Sequence, residues 1–114
     1  MILVINHKES ATLTLHMAIM RKSYRNIVKA RYKARRDVLY NAFDCVYQSA
    51  KESLESQNEV NEVHLNIVDL EMLCEFLKSY TDKLDVLDLK NETDIEQLQI
   101  MKDLYLRCEG LMAA

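Results

Sequence analysis

Lys29-Ala30-Arg31-Tyr32-Lys33-Ala34-Arg35-Arg36-Asp37 decides how this chain folds, because the sequence on either side of it reads as helix. Upstream, Leu13, Met17, Met20, Tyr24, Ile27 and Val28 recur in steps of three and four. Downstream, Val38, Ala42, Val46, Ala50 and Leu54 continue the same rhythm. Between them only Ala34 carries the stripe, and six of the nine residues of 29–37 are charged. No proline occurs anywhere, and the one glycine is Gly110. Two readings follow. Unbroken, residues 7–57 form one helix of about fifty residues, on the order of 75 Å long at 1.5 Å per residue. Bent at 29–37, they fold back on themselves, and the chain closes as a four-helix bundle.

Working outward, the helix has a defined start. Val4-Ile5-Asn6-His7-Lys8-Glu9 sets an asparagine three residues before an acid. The same arrangement returns at Asn66 and Asp69 after Val63-His64-Leu65. The asparagine oxygen can accept from the free N–H groups of a first turn. The acid reaches back to the asparagine N–H and complements the positive helix end. The apolar runs before these caps, Ile2–Ile5 and residues 62–65, either pair as a small two-stranded ribbon or serve as apolar staples. Thr12, Leu13, Thr14, Leu15 and His16 alternate as a short strand would, a minor competitor to helix.

The second half reads as a helical hairpin. A linker covers 58–66. Helix 67–89 lines up Leu70, Leu73, Cys74, Leu77, Tyr80, Leu84 and Leu87. Helix 94–111 starts at the capping box Thr93-Asp94-Ile95-Glu96, lines up Ile95, Leu98, Met101, Leu104, Tyr105 and Cys108, and stops at Gly110. Each arm is roughly 30 Å long and covers only part of a 75 Å rod. The expected architecture is therefore one all-α domain over 1–114. A long N-terminal helix, bent or not near 29–37, joins a C-terminal hairpin, bundle-like or coiled-coil-like, and two copies cover each other as a homodimer.

Composition supports this. Turn-rich β folds need glycine and proline for their special backbone angles, and this chain has almost none. Cys45, Cys74 and Cys108 have no Cys-x-x-Cys spacing, so reduced, buried thiols are expected. The apolar start Met1–Ile5 is too short to span a membrane, and a cytoplasmic protein is the expectation.

Charge is divided unevenly. Residues 1–36 carry nine Lys and Arg against one acid, Glu9; residues 37–114 carry six against seventeen. The first third thus stands at +8 and the remainder at −11. Either one part neutralises the other, or a basic surface is kept for an anionic partner. Lys22, Arg25, Lys29, Lys33 and Arg36 form one helical stripe bordered by Tyr32, Tyr40 and Tyr47, a pattern able to follow phosphates or acidic protein. Arg31 and Arg35 fall instead within the apolar stripe. Buried there, they need carboxylate partners such as Asp69, Glu71, Glu75, Asp82 or Asp85. Uncovered, they face solvent or contact a partner.

Catalytic patterns are missing. One glycine excludes Gly-rich phosphate loops, and His7, His16 and His64 stand in no metal-binding spacing. No cofactor or metal is expected. The function expected is a non-enzymatic protein-interaction or regulatory module working through Lys22, Arg25, Lys29, Arg31, Lys33, Arg35 and Arg36. Its partner is a second copy or another, acidic protein. A nucleic-acid-binding regulator is the alternative.

Overall fold

In a computed structural model describing residues 1–114, the long helix breaks at Tyr32. The elements are β1 (Ile2–Asn6), α1 (His7–Arg31), a 3-10 turn (Lys33–Arg35), α2 (Arg36–Glu55), β2 (Val60–His64), α3 (Ile67–Asp85) and α4 (Glu92–Ala113). The molecule measures 38 × 33 × 27 Å, so the 75 Å rod does not form. The reason lies in burial. Every residue from Lys29 to Val38 is exposed, including the Ala34 and Val38 that would have carried the stripe through. With no apolar side chain to hold a straight path, the chain turns. Val28 and Leu39 are the last and first buried residues on either side. Few hydrogen bonds are lost, since Tyr32 N–H still reaches the Val28 carbonyl at 2.8 Å and Arg35 N–H the Tyr32 carbonyl at 2.9 Å. Folding back buries Leu13, Met17, Val28, Leu39, Phe43 and Val46 to 4% exposure or less. At roughly 1.5–3 kcal/mol for each buried large apolar side chain, that gain decides the contest.

The buried face of α2 is Leu39, Ala42, Phe43, Val46, Ala50 and Ser53: Ala42, Val46 and Ala50 of the expected stripe are core, while Val38 is exposed and Leu54 half-buried. Phe43 stacks on Tyr24 of α1 at 4.6 Å and meets Phe76 of α3 edge-on at 5.6 Å; Phe76 in turn stacks on Tyr80. This aromatic row ties the first hairpin, α1–α2, to the second, α3–α4.

β1 and β2 form the ribbon. They are antiparallel, with Leu3 opposite Val63, Ile2 opposite His64 and Val4 opposite Glu62. Leu3, Ile5 and Val63 point inward and are buried. Each strand feeds a helix through the same device. The Asn6 side chain accepts from Glu9 N–H at 2.8 Å, and Glu9 accepts from Asn6 N–H; Asn66 and Asp69 repeat this. The chain is thus two tandem strand–helix–helix units offset by sixty residues, from Asn6 to Asn66. Shifting Leu3 by that offset gives Val63, its own pairing partner, so an approximate two-fold axis passes through this pair. The units differ most in their first helices: α1 has 25 residues and α3 only 19, against 20 in α2 and 22 in α4.

Other boundaries move for local reasons. α3 ends at Asp85 rather than 89, leaving Leu87 exposed. α4 starts at Glu92 because Asn91, a stronger cap than Thr93, accepts from Thr93 N–H and Asp94 N–H. Gly110 lies inside α4, without positive φ, and stops nothing. The linker expected at 58–66 contains β2. Of the three free thiols only Cys108 is buried; Cys45 is exposed and Cys74 half-buried.

Candidate interaction surface

The hairpin turn gathers Lys29 to Arg36, with Lys22 and Arg25 two or so turns back along α1. Lys22, Arg25 and Lys29 lie on α1, Arg31 is its last residue, Lys33 and Arg35 sit in the 3-10 turn, and Arg36 opens α2. Lys and Arg in the last turn of α1 also complement the negative end of its dipole, which gives Lys29 and Arg31 a local role. Arg31 and Arg35 are exposed, so of the alternatives the sequence left open the uncovered one holds.

Internal neutralisation accounts for part of the excess. Arg21 and Arg25 both reach Asp44 at 3.1 Å. Burial alone would raise the Asp44 carboxyl, but hydrogen bonding and charge from Arg21 and then Arg25 hold it below the usual carboxylate range. Arg25 also lies over the Tyr40 ring at 5.0 Å, and the Tyr40 hydroxyl donates to the Arg25 carbonyl. Arg25 is therefore built into the hairpin. Near the other end of α1, Lys8 pairs with Glu96 and Glu9 with Arg107. Arg35 stands 3.8 Å from Glu71, one of its expected partners, and Arg36 meets only its neighbour Asp37. Lys22, Lys29, Arg31 and Lys33 are exposed and form no ion pair. Tyr32, 40% exposed, stands among them.

Beside this basic end a cleft opens between α1 and α3. α4 reaches α1 through Lys8, Glu9 and His16, whose Nε2 lies 2.7 Å from Gln97 Oε1. The His16 Nδ1 lies 2.9 Å from the Tyr80 hydroxyl, so His16 joins α1, α3 and α4, a role its isolated place in the sequence did not reveal. Beyond it, Met20, Tyr24, Ile27 and Tyr32 face Phe76 and Tyr80 across a cleft of about 80 Å³, with Glu75, Ser79 and Lys83 at its edge. Burial, followed by the charge of Glu75, raises the Tyr24 phenol, and burial raises that of Tyr80; both rings are neutral near pH 7.

No three His, Cys, Asp or Glu side chains are grouped to hold a metal ion, and no helix is long and apolar enough to cross a membrane. No protein-family model, curated protein or solved structure matches the chain.

Proposed function

We propose that this chain is a non-enzymatic protein-interaction or regulatory module that engages an acidic protein through the basic end of its first hairpin. One observation carries this reading: Lys22, Lys29, Arg31 and Lys33 stay exposed and unpaired in a chain whose remainder has carboxylates to spare. Exposed cations held apart from so many available acids are a surface kept for an outside anion. Four such charges suit a local acidic patch. An extended polyanion would have to leave this end along a protein whose other residues are strongly acidic.

Nucleic acid is the second reading, favoured by Tyr32, an exposed ring between Arg31 and Lys33 on which an unpaired base could stack. Four phosphate contacts would give a salt slope of roughly −0.9 per contact on duplex, so near −3.6 in all. Self-association as a homodimer loses its original ground, the uncovered rod. It keeps the exposed apolar side chains Ile2, Val4 and Val60 of the ribbon's outer face as support.

The test is affinity capture from the native host with wild-type bait and with Lys22→Glu/Lys29→Glu/Lys33→Glu bait, each with and without nuclease. A protein kept through nuclease by wild type and lost by the charge-reversed bait supports the reading. Capture that vanishes with nuclease, or that ignores the three reversals, refutes it.

A further inference from the structure

Resting on that reading, we propose that the α1–α3 cleft takes one aliphatic side chain of the partner, so the recognised segment is an acidic stretch carrying a single exposed Leu, Ile or Met. Size decides the class of occupant. Ligand and cofactor sites run to roughly 300–1,000 Å³, and an apolar cavity of roughly 150 Å³ holds benzene. At about 80 Å³ this cleft is too small for either and matches one aliphatic side chain. Its walls suit that guest: Met20, Tyr24, Ile27, Phe76 and Tyr80 present apolar and aromatic surface. The aromatic row through Phe43 holds Tyr24 and Phe76 in place, so the receptor is formed before a partner arrives.

Charge decides what flanks the guest. Lys83 edges the cleft from α3 and forms no ion pair. Arg31 stands one helical turn beyond Ile27 and next to Tyr32, both lining residues. The one carboxylate on the rim, Glu75, belongs to the α3 wall. An acidic segment seated here would direct its carboxylates toward Arg31 and Lys83 and away from Glu75. The cleft also lies where the two units differ. Residues 26–31 continue α1 as helix, whereas the equivalent 86–91 follow the end of α3. This extension carries one core residue, Val28, and beyond that supplies Ile27, Arg31 and the approach to Tyr32.

The experiment uses two fluorescent synthetic peptides of equal negative charge, one with a central Leu and one with Ser in its place. Fluorescence anisotropy measures their binding to the full chain and to Ser79→Trp, which fills the cleft from an exposed position. On wild type the Leu peptide should bind about tenfold to a hundredfold more tightly, the range expected for burying one such side chain. Ser79→Trp should erase that difference and leave the Ser peptide unchanged. Should Ser79→Trp misfold, Ile27→Asn serves the same purpose, and the two-peptide comparison on wild type stands without either variant. Equal, salt-sensitive affinity for both peptides overturns the anchor while leaving the basic end intact. Binding of neither peptide overturns both.

Discussion

Replacing Phe43 with Ala should cost about 3–5 kcal/mol of unfolding free energy, the range for deleting a fully buried phenylalanine. Phe43 is 1% exposed, stacked on Tyr24 and edge-on to Phe76. The same residue separates the two readings of the sequence. On an unbroken helix 7–57 Phe43 and Tyr24 would lie nineteen residues apart along one rod, roughly 28 Å at 1.5 Å per residue, so they could not stack and their coupling would vanish. For 114 residues the unfolding entropy is roughly 2.1 cal/mol/K per residue, so each kcal/mol lowers Tm by about 4 °C. The expected drop is therefore about 12–20 °C by circular dichroism, with a matching fall in the urea midpoint at unchanged slope. Since a domain of this size has only about 5–15 kcal/mol in total, Phe43→Leu serves as a milder second variant, expected near 1 kcal/mol. A double-mutant cycle with Tyr24→Ala should return about 0.5–1.5 kcal/mol of coupling. A loss under 1 kcal/mol for Phe43→Ala, or no coupling to Tyr24, would refute the hairpin packing.

Further expectations concern the caps, the charges and the glycine. Asn6→Ala and Asn66→Ala should each cost about 1 kcal/mol in urea unfolding, and the double variant about their sum, because the caps sit at opposite ends of the ribbon. The folded Asp44 carboxyl titrates below its unfolded value, so its stabilisation is present above about pH 4 and fades as pH falls through the lowered value. Asp44→Asn should flatten that acid limb of the stability profile; an unchanged limb would remove the Arg21–Asp44–Arg25 account. Gly110→Ala should raise stability by about 0.5–1 kcal/mol, since a methyl there meets nothing within 4 Å; a loss would mean that Gly110 ends the helix after all.

What the sequence disclosed, and what it hid, follows the range of the forces involved. The two Asn-x-x-acid caps were legible because a cap is a local device, complete within four residues. The pairing of β1 with β2 was legible only as one of two alternatives, since nothing within either run says which distant strand it meets. Leu39 and Phe43 sit at i, i+3 and i+4 spacing with Ala42, Val46 and Ala50 and were within reach of the same periodicity, but steps of four from Val38 passed over them. Whether Arg31 and Arg35 would be buried or uncovered stayed open in the sequence, because it depends on where the chain turns. The helix ends expected at 89 and 111 fall at 85 and 113, because Leu87 stays exposed and Gly110 lies inside the helix. The basic stripe could be read directly, being a property of composition. The cleft could not: Tyr24 and Ile27 are separated from Phe76 and Tyr80 by some fifty residues of chain, and only the folded hairpins bring them together.

The location of the basic end depends on the turn at Tyr32, and one distance tests it. Spin labels at His7→Cys and Glu52→Cys, with Cys45→Ser and Cys74→Ala and the buried Cys108 retained, can be measured by double electron–electron resonance. In the hairpin, Ser10 Oγ lies 2.8 Å from Ser53 Oγ. Two helices side by side with two label arms then give a distance on the order of 20–30 Å. A distribution centred near 65 Å, the span of forty-five residues of straight helix, would contradict the account.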